Sequence, residues 1–527
     1  MAAQIVIAPL LIALFTAIAT LPLRRFPRAQ RAVSFLGALA YLGVVALLAG
    51  RVADESILVY QLSSWPAPFG ITLVADALSL FMLSLTAVVS LASVAFSVRF
   101  MSGFAQRVSY HTLYHLMVVG ITGSFLTGDI FNLFVWFEVM LLSSYVLVAF
   151  YSGPEHTRAA LTYTVLNLLG SALMLLAIGG LYATVGTLNM ADMARRLANP
   201  AQYGVDPVPV LGLTVLLFCV FALKAGIVPF QFWVPAAYRA APAPVTAMLA
   251  GVVKKVGIYA IIRLYFTVFA AATLPAGLGL PGFVGNDFLS FFGPILFVMA
   301  AGSILFGGIS AVSRDGLDGV LAYSSIGQIG FVVLPLAVAA TVPEVRSLAI
   351  TAALIYALNH GLTKSMLFLA SGTVKEAVGS VRFEHIGGIA KRTPLLSIGF
   401  FLGAISLIGI PPLSGFFGKL LVFRTTAHAG ALGGRGGAAA LGLSLIGAIL
   451  TIAYFSRAWN RGFWGTESEG VRTATYAPSL VAVVVALAAL LVIVGIGFDP
   501  VLRAAEAAAD IALDRQAYVD AVLEGLQ

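Results

Sequence analysis

Apolar runs of about 18 residues or more recur along almost the whole chain, and this recurrence limits the fold more than any single motif does. Wound as a helix, a run of that length matches the hydrocarbon thickness of a bilayer. Inside lipid the backbone must satisfy its own hydrogen bonds, so a spanning segment is either a helix or part of a closed barrel. The runs are continuous rather than alternating, which excludes a transmembrane barrel. Composition agrees: 60% of the 527 residues are hydrophobic and 10% charged, against about 25% charged in a soluble domain. The chain reads as an all-α polytopic membrane protein with about 14 spans of roughly 20 residues. No basic leader or small-residue cleavage site marks the first 20 residues, which read as a retained span.

Four of the runs carry charge near their middle. They are VWFEVMLL around Glu138, VFALKAGIVP around Lys224, AGVVKKVGIYA around Lys254 and Lys255, and SGFFGKLLVF around Lys419. A charge at the centre of a bilayer helix costs about 2.5–3.5 kcal/mol on insertion scales, so the set costs on the order of 10 kcal/mol. The default use of such charges is moving protons or ions. Loss of hydration penalises the charged form of a carboxylate or an ammonium, and a neighbouring opposite charge offsets that penalty. Glu138 and Lys224, on neighbouring spans, suit an adjustable pair of this kind; the alternative is a static ion pair that only fixes helix packing. His360 and Lys364 stand at i and i+4 in LNHGLTKSM and share a helix face with Asn359 beside them. They read as a proton relay or as packing residues. Tyr323, Ser324, Ser325 and Gln328 order water or bond between helices.

Two runs, 208–235 and 395–426, are longer than one straight span needs, and both contain helix breakers. Gly226 and Pro229 follow Lys224; Gly409, Pro411, Pro412 and Gly415 precede Lys419. Proline removes a backbone donor and clashes with the preceding turn. Irregular backbone at membrane depth survives only where it is buried or lines a wet cavity. Such interruptions in corresponding halves point to a transporter built from inverted repeats; the alternative is a pair of ordinary proline kinks. The expected organisation is helices one to three over 1–109, a first five-helix repeat over 110–271, a second over 272–465, and helix 14 with an outward-facing tail over 466–527. The tail is alanine-rich and acidic, and reads as a short helix on the outer face or against a partner. Lys and Arg concentrate in odd-numbered loops such as that holding Arg24, Arg25, Arg28 and Arg31, which places both termini outside the cytoplasm.

Other chemistry lacks support. The net charge of +8 is spread over short loops with no basic run interleaved with aromatics, which argues against nucleic-acid binding. The lone Cys219 reads as a small buried side chain, and one thiol cannot hold an iron–sulfur cluster. No nucleotide-binding or metal-protease motif appears, so no cofactor is expected.

The segments FNLFVWFEVMLLSSYVLV (131–148), ALKAGIVPFQFWVPAAYRAAPAPVTAMLAGVVKKVGIYAIIRLY (222–265), LAYSSIGQIGFV (321–332), NHGLTKSMLFLASG (359–372) and GIPPLSGFFGKLLVF (409–423) resemble a known family. It is the family of proton-conducting membrane subunits shared by Mrp-type cation/proton antiporters and respiratory complex I. GDIFNLFVWFEVMLLSSY and APAPVTAMLAG favour the Mrp branch and, within it, the D-type subunits. The resemblance covers roughly residues 75–465. It implies 14 helices, two inverted five-helix repeats and discontinuous helices seven and twelve. It also implies proton transfer by Glu138, Lys224, Lys255 and Lys419, with His360 and Lys364 as a further polar pair and Lys254 as an extra neighbour. Family members often carry a basic pair where this chain has Asp318 and Gly319.

The resemblance further implies partners: other membrane subunits of a hetero-oligomeric complex in a bacterial inner membrane, with protons, monovalent cations and lipid as the small species met. The reading that results is a proton-translocating subunit of a sodium/proton antiporter. The alternatives are a proton-pumping subunit of complex I or of a membrane hydrogenase, and a non-transporting scaffold. The intact Glu138, Lys224, Lys255 and Lys419 set weighs against a scaffold.

Overall fold

The computed structural model of the protein describes residues 2–151, 153–275, 288–433 and 436–523. Residues 276–287 and 434–435 of the expected second repeat, and 524–527 of the expected tail, lie outside the described residues. Ten described helices are long and apolar enough to cross a membrane, and the chain is a multi-pass membrane protein. The principal helices are α1 (Ala8–Thr20), α2 (Pro27–Glu55), α3 (Ala77–Phe100), α4 (Tyr110–Leu126), α5 (Ile130–Val148) and α6 (Pro154–Val185). Then come α7 (Pro207–Ala225), α8 (Trp233–Ala240), α9 (Ala243–Ala271), α10 (Phe288–Val312), α11 (Leu317–Thr341) and α12 (Arg346–Val378). The last are α13 (Pro394–Ile408), α14 (Ser414–Ala431), α15 (Gly437–Phe463), α16 (Pro478–Ile496), α17 (Phe498–Leu513) and α18 (Arg515–Leu523).

The two long runs are interrupted where the breakers stand. Helix α7 stops at Gly226, whose φ of +65° is left-handed and favours glycine. The amide of Ile227 turns back to the Ala222 carbonyl at 3.0 Å, and the chain resumes a helix only at Trp233. Helix α13 stops in the same way at Gly409, φ +93°, with the amide of Ile410 returning to the Ile405 carbonyl at 3.0 Å. This closure satisfies carbonyls that a free helix end would leave without a donor. The first interruption is tied to the second half of the chain, because the amide of Val228 donates to Ser303 Oγ at 3.0 Å.

Two features differ from the sequence-based expectation. Residues 57–76 hold an antiparallel pair, β1 (Ile57–Gln61) and β2 (Thr72–Asp76), so the fold is not purely helical. The two strands are only five residues each, too short to stand out among neighbouring apolar runs. Asp76 ends β2 and opens α3 with a capping box, its carboxylate accepting from the Ser79 amide at 2.9 Å. The tail is two helices, and its apolar face packs on this chain's own body. Ala505, Ala508, Ala509 and Ala512 of α17 are buried. So are Tyr518, Val519 and Val522 of α18. The hydroxyl of Thr267 in α9 donates to the Ala512 carbonyl at 2.7 Å.

Helix α9, which carries the central lysine pair, is among the most enclosed. Helix α9 is buried along its whole apolar window and α11 along nearly all of it. Helix α9 is also irregular, with π-helical stretches at Leu249–Val253 and Ile262–Val268 on either side of the lysine pair. Such widened turns leave backbone groups free for other partners and occur often at functional positions.

Candidate functional site

Lys224 occupies the last turn of α7, at the negative end of an interrupted helix, where an ammonium is favoured. It is 3% exposed. Its Nζ donates to the Asn167 carbonyl at 2.9 Å and to Ser171 Oγ at 2.8 Å, both on α6. Glu138 lies on α5, half-buried, with Oε1 buried and without a hydrogen-bond partner. Among the described residues no ion pair within 4.0 Å joins Glu138 to Lys224. The expected pair is therefore two neighbouring groups without a direct ion pair.

At the centre, Lys254 and Lys255 are fully buried on α9. Adjacent residues point about 100° apart on a helix, and the two ammonium groups diverge accordingly. Lys254 Nζ crosses to the second half of the chain and donates to the Ser325 carbonyl on α11 at 3.0 Å. Lys255 Nζ turns back to the Ala250 carbonyl, one of the groups in the widened turn. The side chain of Ser325 reaches His360 Nε2 on α12 at 3.4 Å. One turn further along α12, Lys364 donates to the Leu321 carbonyl at 3.0 Å and to Ser324 Oγ. Thus α9, α11 and α12 bring Lys254, Lys255, His360 and Lys364 within electrostatic range of one another.

Lys419, 3% exposed on α14, donates to the Ile408 carbonyl at 3.0 Å, the last residue of α13, and lies 5.1 Å from the centre of the Phe331 ring. Its ammonium rests at the negative end of an interrupted helix. Gln328 bonds across to Thr451 at 3.0 Å and Tyr454 at 2.8 Å, so it ties helices together. Tyr323 faces the other way and lies under Arg314. Asp318 pairs with Arg239 at 3.5 Å near the surface. Cys219 is half-buried rather than buried.

Sequence reasoning missed one buried ion pair. Arg263 Nη2 lies 2.5 Å from Asp76 Oδ2, and both side chains are at most 2% exposed. The rings of Tyr259 and Tyr518 flank the guanidinium at 5.6 and 5.0 Å. Asp76 and Arg263 are 187 positions apart. The only local signal is a charge at each end of an apolar run, which reads as a loop boundary.

The comparisons with known proteins agree with this geometry. The family described as "NADH:quinone oxidoreductase/Mrp antiporter, TM" matches residues 127–434. The D subunit of the Na(+)/H(+) antiporter of Alkalihalophilus pseudofirmus is 33% identical over 522 residues, 99% of each chain. The N subunit of an NADH-quinone oxidoreductase from Desulforudis audaxviator is 35% identical over 483 residues, 90% of this chain and 89% of its own. Among solved structures, a chain of the Mrp complex from Dietzia sp. DQ12-45-1b superimposes with a TM-score of 0.84 at 27% identity, covering 99% of both chains. With a near-full-length antiporter relative and a matching fold, the chain belongs to the NADH:quinone oxidoreductase/Mrp antiporter transmembrane family, among the D-type subunits of its Mrp branch.

Proposed function

We propose that the chain is the proton-translocating membrane subunit of a multisubunit monovalent cation (sodium)/proton antiporter of a bacterial inner membrane. It is a transporter subunit rather than a conventional enzyme. In this reading protons pass along Glu138, Lys224, Lys255 and Lys419, with His360, Lys364 and Lys254 as accessory stations and water between them. The observation that carries it is the choice of partners. Lys224, Lys254, Lys255, Lys364 and Lys419 all rest on carbonyl or hydroxyl oxygens, and none on a carboxylate. A buried ammonium kept only for packing needs a counter-charge, since an uncompensated one is strongly destabilising. An ammonium resting on neutral oxygens holds a proton that it can give up. The architecture that goes with this reading is 14 crossings, with inverted five-helix repeats over 110–271 and 272–465, helices seven and twelve interrupted, and both termini outside.

The test is sodium-driven proton movement in everted vesicles that carry the full complex and no other antiporter. Glu138→Ala and Lys224→Ala are each expected to lower exchange at least tenfold at matched complex abundance. Near-normal exchange in either variant removes that residue from the path. A second reading, a proton-pumping subunit of a quinone-reducing enzyme, draws on the 35% identical oxidoreductase relative. It requires proton movement to follow a respiratory substrate and not a sodium pulse, and the same vesicles separate the two.

A further inference from the structure

The second helix interruption holds a cluster of neutral oxygens that the lysine row does not use. Asn359 Oδ1 on α12 is approached by Ser406 Oγ of α13 at 2.9 Å, Ser414 Oγ of α14 at 2.8 Å and Thr363 Oγ1 at 3.2 Å. All four side chains are at most 3% exposed. An amide oxygen has two lone pairs, so three hydroxyls aimed at it exceed what it can accept. Asn359 Nδ2, on the same amide, is buried and has no acceptor at all. A buried unmade hydrogen bond costs about 1–3 kcal/mol. As hydrogen bonding alone, the cluster is over-supplied with donors on both sides of one amide.

We propose that Asn359, Thr363, Ser406 and Ser414 form a binding site for a small, largely dehydrated monovalent cation, sodium in the first instance. With a cation at the centre the hydroxyls no longer compete as donors. Each turns a lone pair inward, the amide oxygen does the same, and a water retained by the ion accepts from Asn359 Nδ2. Ser406 stands in the last turn of α13, whose carbonyl end carries roughly half a negative charge. Cation sites of secondary transporters use such half-helix ends and unwound carbonyls. The Ser406 carbonyl faces Gly415 so closely that a Cβ there would lie 1.8 Å away, which holds the two half-helices together around the cluster. No carboxylate takes part in these bonds, which suits a singly charged ion that must leave again. A narrow crevice lined in part by Asn359, Ser414, Phe498 and Val501 adjoins the cluster.

The site rests on the antiport reading and deepens it. The ammonium of Lys419 sits on the Ile408 carbonyl, two residues along the same helix end. The titratable group facing this end is Lys419 of α14; His360, next to Asn359 in α12, turns toward Ser325 of α11. Two cations at one helix terminus repel, so a bound sodium and a protonated Lys419 exclude each other. That exclusion is what exchange of one for the other requires.

The experiment uses the full complex in everted vesicles, with exchange measured against sodium concentration. Thr363→Val and Ser414→Ala each remove one oxygen with little change in shape. Each is expected to raise the half-saturating sodium concentration three- to tenfold, with the rate at saturating sodium held within twofold. Thr363→Ser keeps the oxygen and is expected to behave as the parent. Binding of radioactive sodium to the purified complex should fall by one site in the Thr363→Val, Ser414→Ala double variant. An unchanged half-saturating concentration with a lowered maximal rate overturns the site and leaves the hydroxyls as helix ties. Undiminished sodium binding in the double variant overturns it as well. Neither result depends on Glu138 or Lys224, so failure of the sodium site and failure of the proton path are read separately.

Discussion

Lys254 and Lys255 show how much one residue of register decides. Both are fully buried and each ends on a single carbonyl, Lys254 on Ser325 of α11 and Lys255 on Ala250 of its own helix. In the proposed path Lys255 is a main station and Lys254 an accessory one. Lys255→Ala is therefore expected to lower exchange at least tenfold more than Lys254→Ala, measured at equal complex abundance. Equal losses would mean that the two lysines act as one station. For Lys419 the expectation separates a proton carrier from a structural cation. Lys419→Ala should stop transport, while Lys419→Glu should retain part of it, since a carboxylate also carries a proton. If glutamate proves worse than alanine in both transport and complex yield, Lys419 is structural. The lysines were legible in the sequence because an ammonium in an apolar run is conspicuous. The hydroxyls of Ser406 and Ser414 were not, because serine in an apolar helix commonly bonds its own backbone, as Ser365 does to Gly361 here.

The interruptions are the elements that make this arrangement possible. Each ends a helix inside the protein, and the second presents its carbonyl end to the Lys419 ammonium. Gly415 is where the second interruption is most tightly built. Gly415→Ala places a methyl group against the Ser406 carbonyl, and overpacking of this kind costs about 1–3 kcal/mol. The expected result is a lower melting temperature of the purified complex and a reduced yield. An unchanged melting temperature would mean that α13 and α14 can separate freely. The positions of both interruptions could be read from Gly and Pro. The π-helical turns of α9 could not, since no residue type marks a widened turn, and neither could the β1–β2 pair.

For the molecule as a whole, the tail is an internal part rather than an appendage. Helices α17 and α18 cover α3, α9 and α12 and lay Tyr518 on the Arg263–Asp76 pair. From sequence its apolar face reads as a surface or partner contact, because helical spacing shows that a face is apolar but not what it meets. Tyr518→Ala opens a space beside the guanidinium and removes a ring contact; loss of a large buried side chain costs about 3–5 kcal/mol. A marked fall in melting temperature is the expected outcome, and an unaltered one would mean that the tail is not needed for cohesion. The same contact has a consequence for how the protein is made. Tyr518 leaves the ribosome about 250 residues after Arg263. At about 5–20 residues per second, the interval is on the order of tens of seconds. Throughout that interval the Arg263–Asp76 pair of the nascent first half waits uncovered by Tyr518. A translational stop in the last few codons before α18 would deliver to quality control a chain that has its spanning helices but lacks this cover.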